Sequence, residues 1–411
     1  MGKVRKDKKG RVLHRGESFK AKQQLYCYAY NDPFGERKCI YAKDLGELRE
    51  KEKQIEHNKL DGLDVYAHAK SDINYAFDRY IATRKDQLRS TTLTNYVFTY
   101  DRYVRNGFGK KKLADVRYSD VLLFYSALRE RGLAVNTIDS VHGVLHPTFQ
   151  MAVRDNILRS NPTDGVMAEL KKKLEGRPEP RHALTLEQER AFLDWIDRPE
   201  YLRWKPLFTV MFGTGGRVGE IIGLRWKDLD FDENCISINH NVTYYPRSDK
   251  GYKCEFRVSY PKTPAGFRTI PMLVKVREAF EQEKDNQRLY GYGCVAEIDG
   301  MNGFIFCNRY GNLHSPAGIN REIKRIVDDH NAQEEVAAAL EEREPVIIPR
   351  FSCHITRHTF CTRLCENETN IKVIQSVMGH KDIQTTLDIY AEVTEKKRQE
   401  VFKELNNNDV I

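Results

Sequence analysis

Two guanidiniums, two imidazoles, an amine and a phenol occur in a spaced series along the second half of this 411-residue chain: Arg217, Lys262, His354, Arg357, His380 and Tyr390. A phosphodiester undergoing substitution carries about two negative charges on its equatorial oxygens, and planar, permanently charged guanidinium forks match that shape. A tyrosine oxygen can attack phosphorus and hold the bond energy as a covalent ester. Each residue alone is weak evidence. Arg217 follows Gly213-Thr214-Gly215-Gly216 at a helix start, where unsatisfied N–H groups favour anions; it can equally pair with Glu220 or Asp228 on the surface. Lys262, in Pro261-Lys262-Thr263-Pro264, reads as the tip of a hairpin between two strands. His354 and Arg357 lie three apart on one helical face. His354 and His358 with Cys361 and Cys365 also suggest a zinc group, but the cysteine spacing fits a finger poorly and buried cysteines explain it better. Tyr390 needs help to ionise, since an ordinary phenol titrates near pH ~10; nearby arginines favour the phenolate.

Positioning such a set takes more than one core. A chain this long predicts two or three domains. The composition, 40% hydrophobic and 31% charged with mean hydropathy −0.63, predicts packed cores under a wet, charged surface. No run of about 18 apolar residues is present, which excludes a membrane-spanning helix. Nine cysteines without CxxC pairs suit reduced thiols in a cytoplasm. A net charge of +8 favours polyanionic partners. That charge is uneven. Within residues 1–30, Lys3, Arg5, Lys6, Lys8, Lys9, Arg11, Arg15, Lys20 and Lys22 stand against Asp7 and Glu17 alone.

The patterning predicts a multidomain, mainly α protein with small β-sheets. Residues 1–66 form a small sheet plus helix: Leu25–Tyr30 and Arg37–Tyr41 as strands around the turn Asn31-Asp32-Pro33-Phe34-Gly35, Arg11–His14 as a third strand, and a helix marked by Leu45, Leu48 and Ile55. Residues 71–167 show four amphipathic stripes, led by Phe77, Tyr100, Tyr125 and Phe149, and predict a helical bundle. Residues 168–183, with three lysines, Pro178 and Pro180, read as a linker. Residues 184–411 read as a helical domain with an inserted antiparallel sheet over 235–270, a capping box at Thr185 and Gln188, and an exposed helix over Glu334–Glu344. Candidate phosphate contacts are Arg11, Arg15, Lys20 and Lys22 in the first part, and Arg84, Lys85, Arg89, Lys110, Lys111 and Lys112 in the second.

Taken in order, Arg217, Lys262, His354-x-x-Arg357, His380 and Tyr390 resemble the tyrosine recombinases. The contexts match too: Thr214-Gly215-Gly216-Arg217-Val218-Gly219-Glu220, Pro261-Lys262-Thr263, His354-x-x-Arg357-His358-x-Phe360 and Gly379-His380, with Tyr390 ten residues on. The tract from Leu25-Tyr26-x-Tyr28 to Leu45-x-x-Leu48-Arg49 is similar to the arm-binding module of conjugative-transposon integrases. The resemblance implies an arm-binding domain, a core-binding domain and an α+β catalytic domain. It implies that Arg217 and Arg357 clamp the scissile phosphate, that His380 hydrogen-bonds it, that His354 assists the nucleophile, that Lys262 protonates the leaving 5′ hydroxyl, and that Tyr390 attacks. It further implies no cofactor and no metal. The implied partners are double-stranded DNA at core, arm and target sites, three further copies in a synaptic tetramer, with residues 394–405 packing on a neighbour, and an excisionase-type directionality factor. The implied location is the bacterial cytoplasm, on the nucleoid. A phage integrase, a type IB topoisomerase and a catalytically silent DNA-binding relative share parts of this pattern.

Overall fold

The computed structural model describes residues 5–31, 37–60, 71–173, 182–247, 253–261 and 264–394. Lys262, the expected turn at 32–35 and nearly all of the 394–405 segment therefore lie outside the described residues. The chain divides into two compact units, Met1–Arg177 and Pro178–Ile411.

The first unit begins with an antiparallel sheet of β1 (Glu17–Lys20), β2 (Leu25–Asn31) and β3 (Arg37–Ala42), in that order, braced by α1 (Leu45–Leu60). Tyr26, Ala42, Leu45 and Leu48 form its core. The third strand is not Arg11–His14. The Asp7 carboxylate accepts hydrogen bonds from the backbone of Lys9 and Arg11, which curls 7–11 into a turn and leaves Val12 only an isolated bridge to Lys6. Gly16, at φ +94, then reverses the chain into β1; a side chain there would strike the Tyr28 ring.

Among the described residues five α-helices follow: α2 (Ile73–Arg84), α3 (Ser90–Tyr103), α4 (Tyr118–Glu130), α5 (Val135–Arg154) and α6 (Val166–Lys173). The four expected stripes become their buried faces. Phe77 stacks on Tyr100 at 3.7 Å between ring centroids, and the Tyr100 and Tyr125 hydroxyls are bonded internally to Asn74 and His142. These tyrosines belong to the core. Residues 168–173, expected as linker, instead belong to α6, because Val166, Met167 and Leu170 find a place in the bundle core while Lys171 and Lys172 are exposed.

The second unit is built on α7 (Leu186–Trp195), α8 (Lys205–Thr214), α9 (Val218–Ile222), α10 (Val274–Tyr290), α11 (Pro316–Leu340), α12 (Cys353–Asn367), α13 (Ile371–Met378) and a helix, α14, over the described residues 383–394. The Thr185–Gln188 capping box opens α7 as expected. Strands β4 (Leu229–Asp230) and β5 (Cys235–Ile238) form a sheet with β8 (Arg268–Pro271), while β6 (Asn241–Arg247) and β7 (Lys253–Ser259) form a separate hairpin. The segment expected as a hairpin tip at Pro261–Gly266 therefore joins two different sheets: β8 pairs with β5, where Ile236 and Ile270 are buried opposite one another. The Glu334–Glu344 helix is the end of α11, which stops at Leu340; Glu334 is not exposed, since its carboxylate holds Arg343 and the Val346 backbone N–H.

Candidate active site

Three backbone turns carry the expected catalytic residues. α8 ends at Gly215, whose φ of +59 places it in the left-handed region, and a Cβ there would come within 2.4 Å of the Phe360 ring. The chain leaves that turn directly into Arg217, the N-cap of α9. α12 presents an exposed His354 in its first turn and Arg357 one turn later, 4% exposed. α13 ends at Gly379, at φ +64, and hands the chain to His380.

These turns converge. Arg357 donates from Nη1 to the Gly215 carbonyl at 2.8 Å and from Nη2 to the Met378 carbonyl at 2.6 Å. Each of those nitrogens has a second N–H for a ligand. Arg217 donates from Nη1 to Glu220 at 2.8 Å and from Nη2 to the Gly379 carbonyl at 3.4 Å, with its side chain 46% exposed. The Glu220 carboxylate also accepts the Arg217 backbone N–H at 2.9 Å. The Arg217–Glu220 pair weighed from the sequence thus forms, but it is buried on the glutamate side and adds to the site instead of decorating the surface; Asp228 pairs with Arg225.

Crowded positive charge sets the electrostatics. Burial, reinforced by Arg217 and Arg268, pulls the Arg357 guanidinium down to about 9. It remains charged at neutral pH, in a setting that a nearby anion would relieve. Burial pushes the Glu220 carboxyl up, but Arg268 and Arg217 together hold it at about 2. Burial, then Arg357, Arg217 and Arg268, lower His380 to about 4, and His354 is close enough to add to the effect. Neutral His380 meets the Thr386 hydroxyl 2.9 Å from Nδ1. With Thr386 donating, the imidazole carries its proton on Nε2, the tautomer that can donate to a phosphate oxygen.

Tyr390 lies on α14, one turn after Thr386, with its half-buried ring against a small core of Cys361, Cys365, Ile374, Met378 and Val393. The tyrosine helix is thus joined to the arginine cluster through the His380–Thr386 bond and through Met378, which gives its carbonyl to Arg357 and its side chain to that core. Cys361 and Cys365 are core residues in contact with each other, and among the described residues no three of His354, His358, Cys361 and Cys365 gather within ligand range. Arg268, Thr386 and the carboxylate role of Glu220 escaped the sequence reading. Arg268 read only as the start of a strand, and nothing local marks its contacts with residues 48 and 109 positions away.

The expected DNA-contact residues divide. Arg11 is tied to Asp7, Asp44 and the Tyr26 hydroxyl, Lys20 to Tyr41, Arg84 to Gln87 and Lys111 to Asp120. Arg15, Lys22, Lys85, Arg89, Lys110 and Lys112 are exposed.

An α+β unit with two arginines, two histidines and a tyrosine on a following helix defines a tyrosine recombinase, and this chain belongs to the phage integrase family, whose model matches residues 182–397. Residues 1–59 match the DNA binding domain of Tn916 integrase. The chain is 29% identical to the transposase from transposon Tn916 of Enterococcus faecalis, over 99% of this chain and 98% of that protein. It is also 29% identical to the transposase from transposon Tn1545 of Streptococcus pneumoniae, with the same coverage. Among solved structures, the Tn1549 transposon integrase in complex with transposon right end DNA superposes with a TM-score of 0.68 at 27% identity, over 82% of this chain and all of that one. Among the described residues no helix is long and apolar enough to cross a membrane.

Proposed function

We propose that this chain integrates and excises a mobile element, a conjugative transposon, by site-specific exchange of DNA strands through a 3′-phosphotyrosine intermediate. The observation that carries this reading is the gathering of Arg217 and Arg357 around the end of α13, beside His380 and on the element that leads to Tyr390. Two guanidiniums with N–H groups to spare complement a phosphodiester whose charge grows towards two in the transition state.

In this reading the Tyr390 oxygen attacks the scissile phosphorus as its proton passes to a base, a part assigned to His354. The bond from phosphorus to the 5′ oxygen breaks, and Lys262 supplies the proton to that oxygen. The product is a tyrosyl phosphodiester at the 3′ end and a free 5′ hydroxyl. A 5′ hydroxyl from the partner strand attacks the ester and regenerates the phenol. One phosphodiester is exchanged for another, so no nucleotide need be consumed, and the arginines supply the charge that a metal supplies elsewhere. Arg217, Arg357 and His380 stabilise the pentacoordinate phosphorus. Residues 1–66 bind arm sites, the helical bundle over 71–173 binds core sites, and 184–411 carry out the chemistry, with four copies in the synaptic complex on two duplexes. An excisionase-type factor sets direction, and the reaction takes place on DNA in the bacterial cytoplasm. The likeness to the Tn916 and Tn1545 transposases over nearly the whole chain supports a conjugative element over a phage.

The test is a duplex carrying the element end with a nick just 3′ of the scissile phosphate, so that cleavage releases a short fragment bearing the free 5′ hydroxyl and strands the protein on DNA. Wild type is expected to form a denaturation-resistant adduct, and Tyr390→Phe none. An adduct that persists in Tyr390→Phe removes the nucleophile assignment. No adduct on any element-end DNA favours a silent DNA-binding protein. On a closed supercoiled plasmid carrying the element end, relaxation without strand exchange favours a topoisomerase.

A further inference from the structure

Three consecutive carbonyls close α13, and each is held by a different arginine. Val377 accepts from Arg268 Nε at 2.8 Å, Met378 from Arg357 Nη2 at 2.6 Å, and Gly379 from Arg217 Nη2 at 3.4 Å. Carbonyls in the last turn of a helix lack intrahelical partners and carry the negative end of its dipole. Here they serve as a template that spaces three like charges. Arg357 and Arg217 already have parts in phosphate binding; Arg268 has none. Its side chain is 5% exposed, and its other two nitrogens are bonded to both oxygens of Glu220, at 2.8 and 3.3 Å. Glu220 in turn holds the Arg217 backbone and guanidinium. Gly379 leaves room for this arrangement, since a Cβ there would lie 3.1 Å from the Arg268 guanidinium.

We propose that Arg268 is a positioning residue for DNA cleavage, acting on the scissile phosphate through Glu220 and Arg217 and through the carbonyl row 377–379. The inference rests on the recombinase reading above. Alone, Glu220 would pair one-to-one with Arg217 and cancel much of the charge that Arg217 offers a phosphate. A second, buried guanidinium balances Glu220, so Arg217 is oriented by the carboxylate without being neutralised by it. The forked contact fixes both carboxylate oxygens, which a single-point cation cannot do.

The test measures single-turnover covalent trapping and DNA affinity side by side in the full chain. Arg268→Met is expected to slow trapping roughly 100-fold, the scale of losing one preorganised charge donor, while Kd for the element end changes less than about threefold. Arg268→Lys, which keeps the charge and loses the fork, is expected roughly tenfold below wild type. It also carries the test if the methionine variant does not fold. Two further readouts separate positioning from simple packing. In a Glu220→Gln background there is no carboxylate charge to balance, so Arg268→Met should cost less than about threefold more. On DNA with a methylphosphonate at the scissile position, which removes one charge from the phosphate, the gap between wild type and Arg268→Met should close to within about tenfold. Trapping by Arg268→Met within about threefold of wild type would overturn the proposal. So would penalties that multiply in the Glu220→Gln, Arg268→Met double variant, because independent structural damage adds. Failure of the wild type itself to trap would instead remove the recombinase reading.

Discussion

The two ends of this protein use positive charge in opposite ways. In the N-terminal sheet module the exposed cations Arg15 and Lys22 stand in solvent, while Arg11 is spent on Asp7, Asp44 and Tyr26 to hold the module together. In the C-terminal unit Arg357 and Arg268 are buried; Arg357 is held by two backbone carbonyls, and Arg268 by one carbonyl and the Glu220 carboxylate that it shares with Arg217. Exposed cations answer to a polyanion's average field and to salt. In the proposed reading, buried cations held by carbonyls answer to one phosphate in one place, because a geometry fixed at folding needs no reorganisation when the ligand arrives. Number of charges matters at one end and position at the other.

The strongest way to break that contrast is Arg357→Lys. A lysine keeps the charge but cannot span the Gly215 and Met378 carbonyls and face a phosphate as well. Trapping on nicked DNA should fall by about 1,000-fold with DNA affinity nearly intact; a loss below tenfold would mean that charge alone suffices at this site. A middle-sized effect comes from acid. The folded pKa of His380 lies at about 4 against an ordinary 6.5, so between those values the unfolded chain binds more protons than the folded one. Its contribution to stability is complete above pH 6.5 and falls as the pH drops towards 4. Wild type should therefore lose about 2 kcal/mol more than His380→Gln between pH 7 and pH 4.5, read from urea midpoints at the two values. Equal losses would contradict the burial and arginine crowding described above. The smallest effects belong to the sheet module. Arg15→Ala and Lys22→Ala should each weaken arm-site binding by about twofold to fivefold and reduce the salt slope by about 0.9 per lost contact, with the trapped fraction at saturating DNA unchanged. An effect on trapping there would blur the distinction between the two ends.

The same contrast governs what could be read in advance. Helix stripes in 71–167 were legible because a buried face repeats every three to four residues, and the burial of Phe77, Tyr100, Tyr125 and Phe149 follows it. Arg217, His354, Arg357, His380 and Tyr390 were legible as types in order, with the glycines at 215 and 379 marking where helices had to end. Their support was not. Arg268 reaches Glu220 and Val377 across long stretches of chain, and Thr386 meets His380 only because α14 folds back. Such contacts leave no local period. The expected strand at Arg11–His14 fails for a related reason: it has the composition of a strand, but the Asp7 side chain takes the Arg11 backbone N–H and Glu17 takes that of His14. The linker was drawn too early because the lysines at 171–173 outweighed Val166, Met167 and Leu170, which decide the matter by packing.

One measurement bears on the centre of the account. The protein trapped on nicked element-end DNA can be digested with protease and nuclease and the adduct located by tandem mass spectrometry. The account predicts a nucleotide joined through a 3′ phosphate to the phenol of Tyr390. A nucleotide on any other side chain, or an adduct joined through a 5′ phosphate, would contradict it.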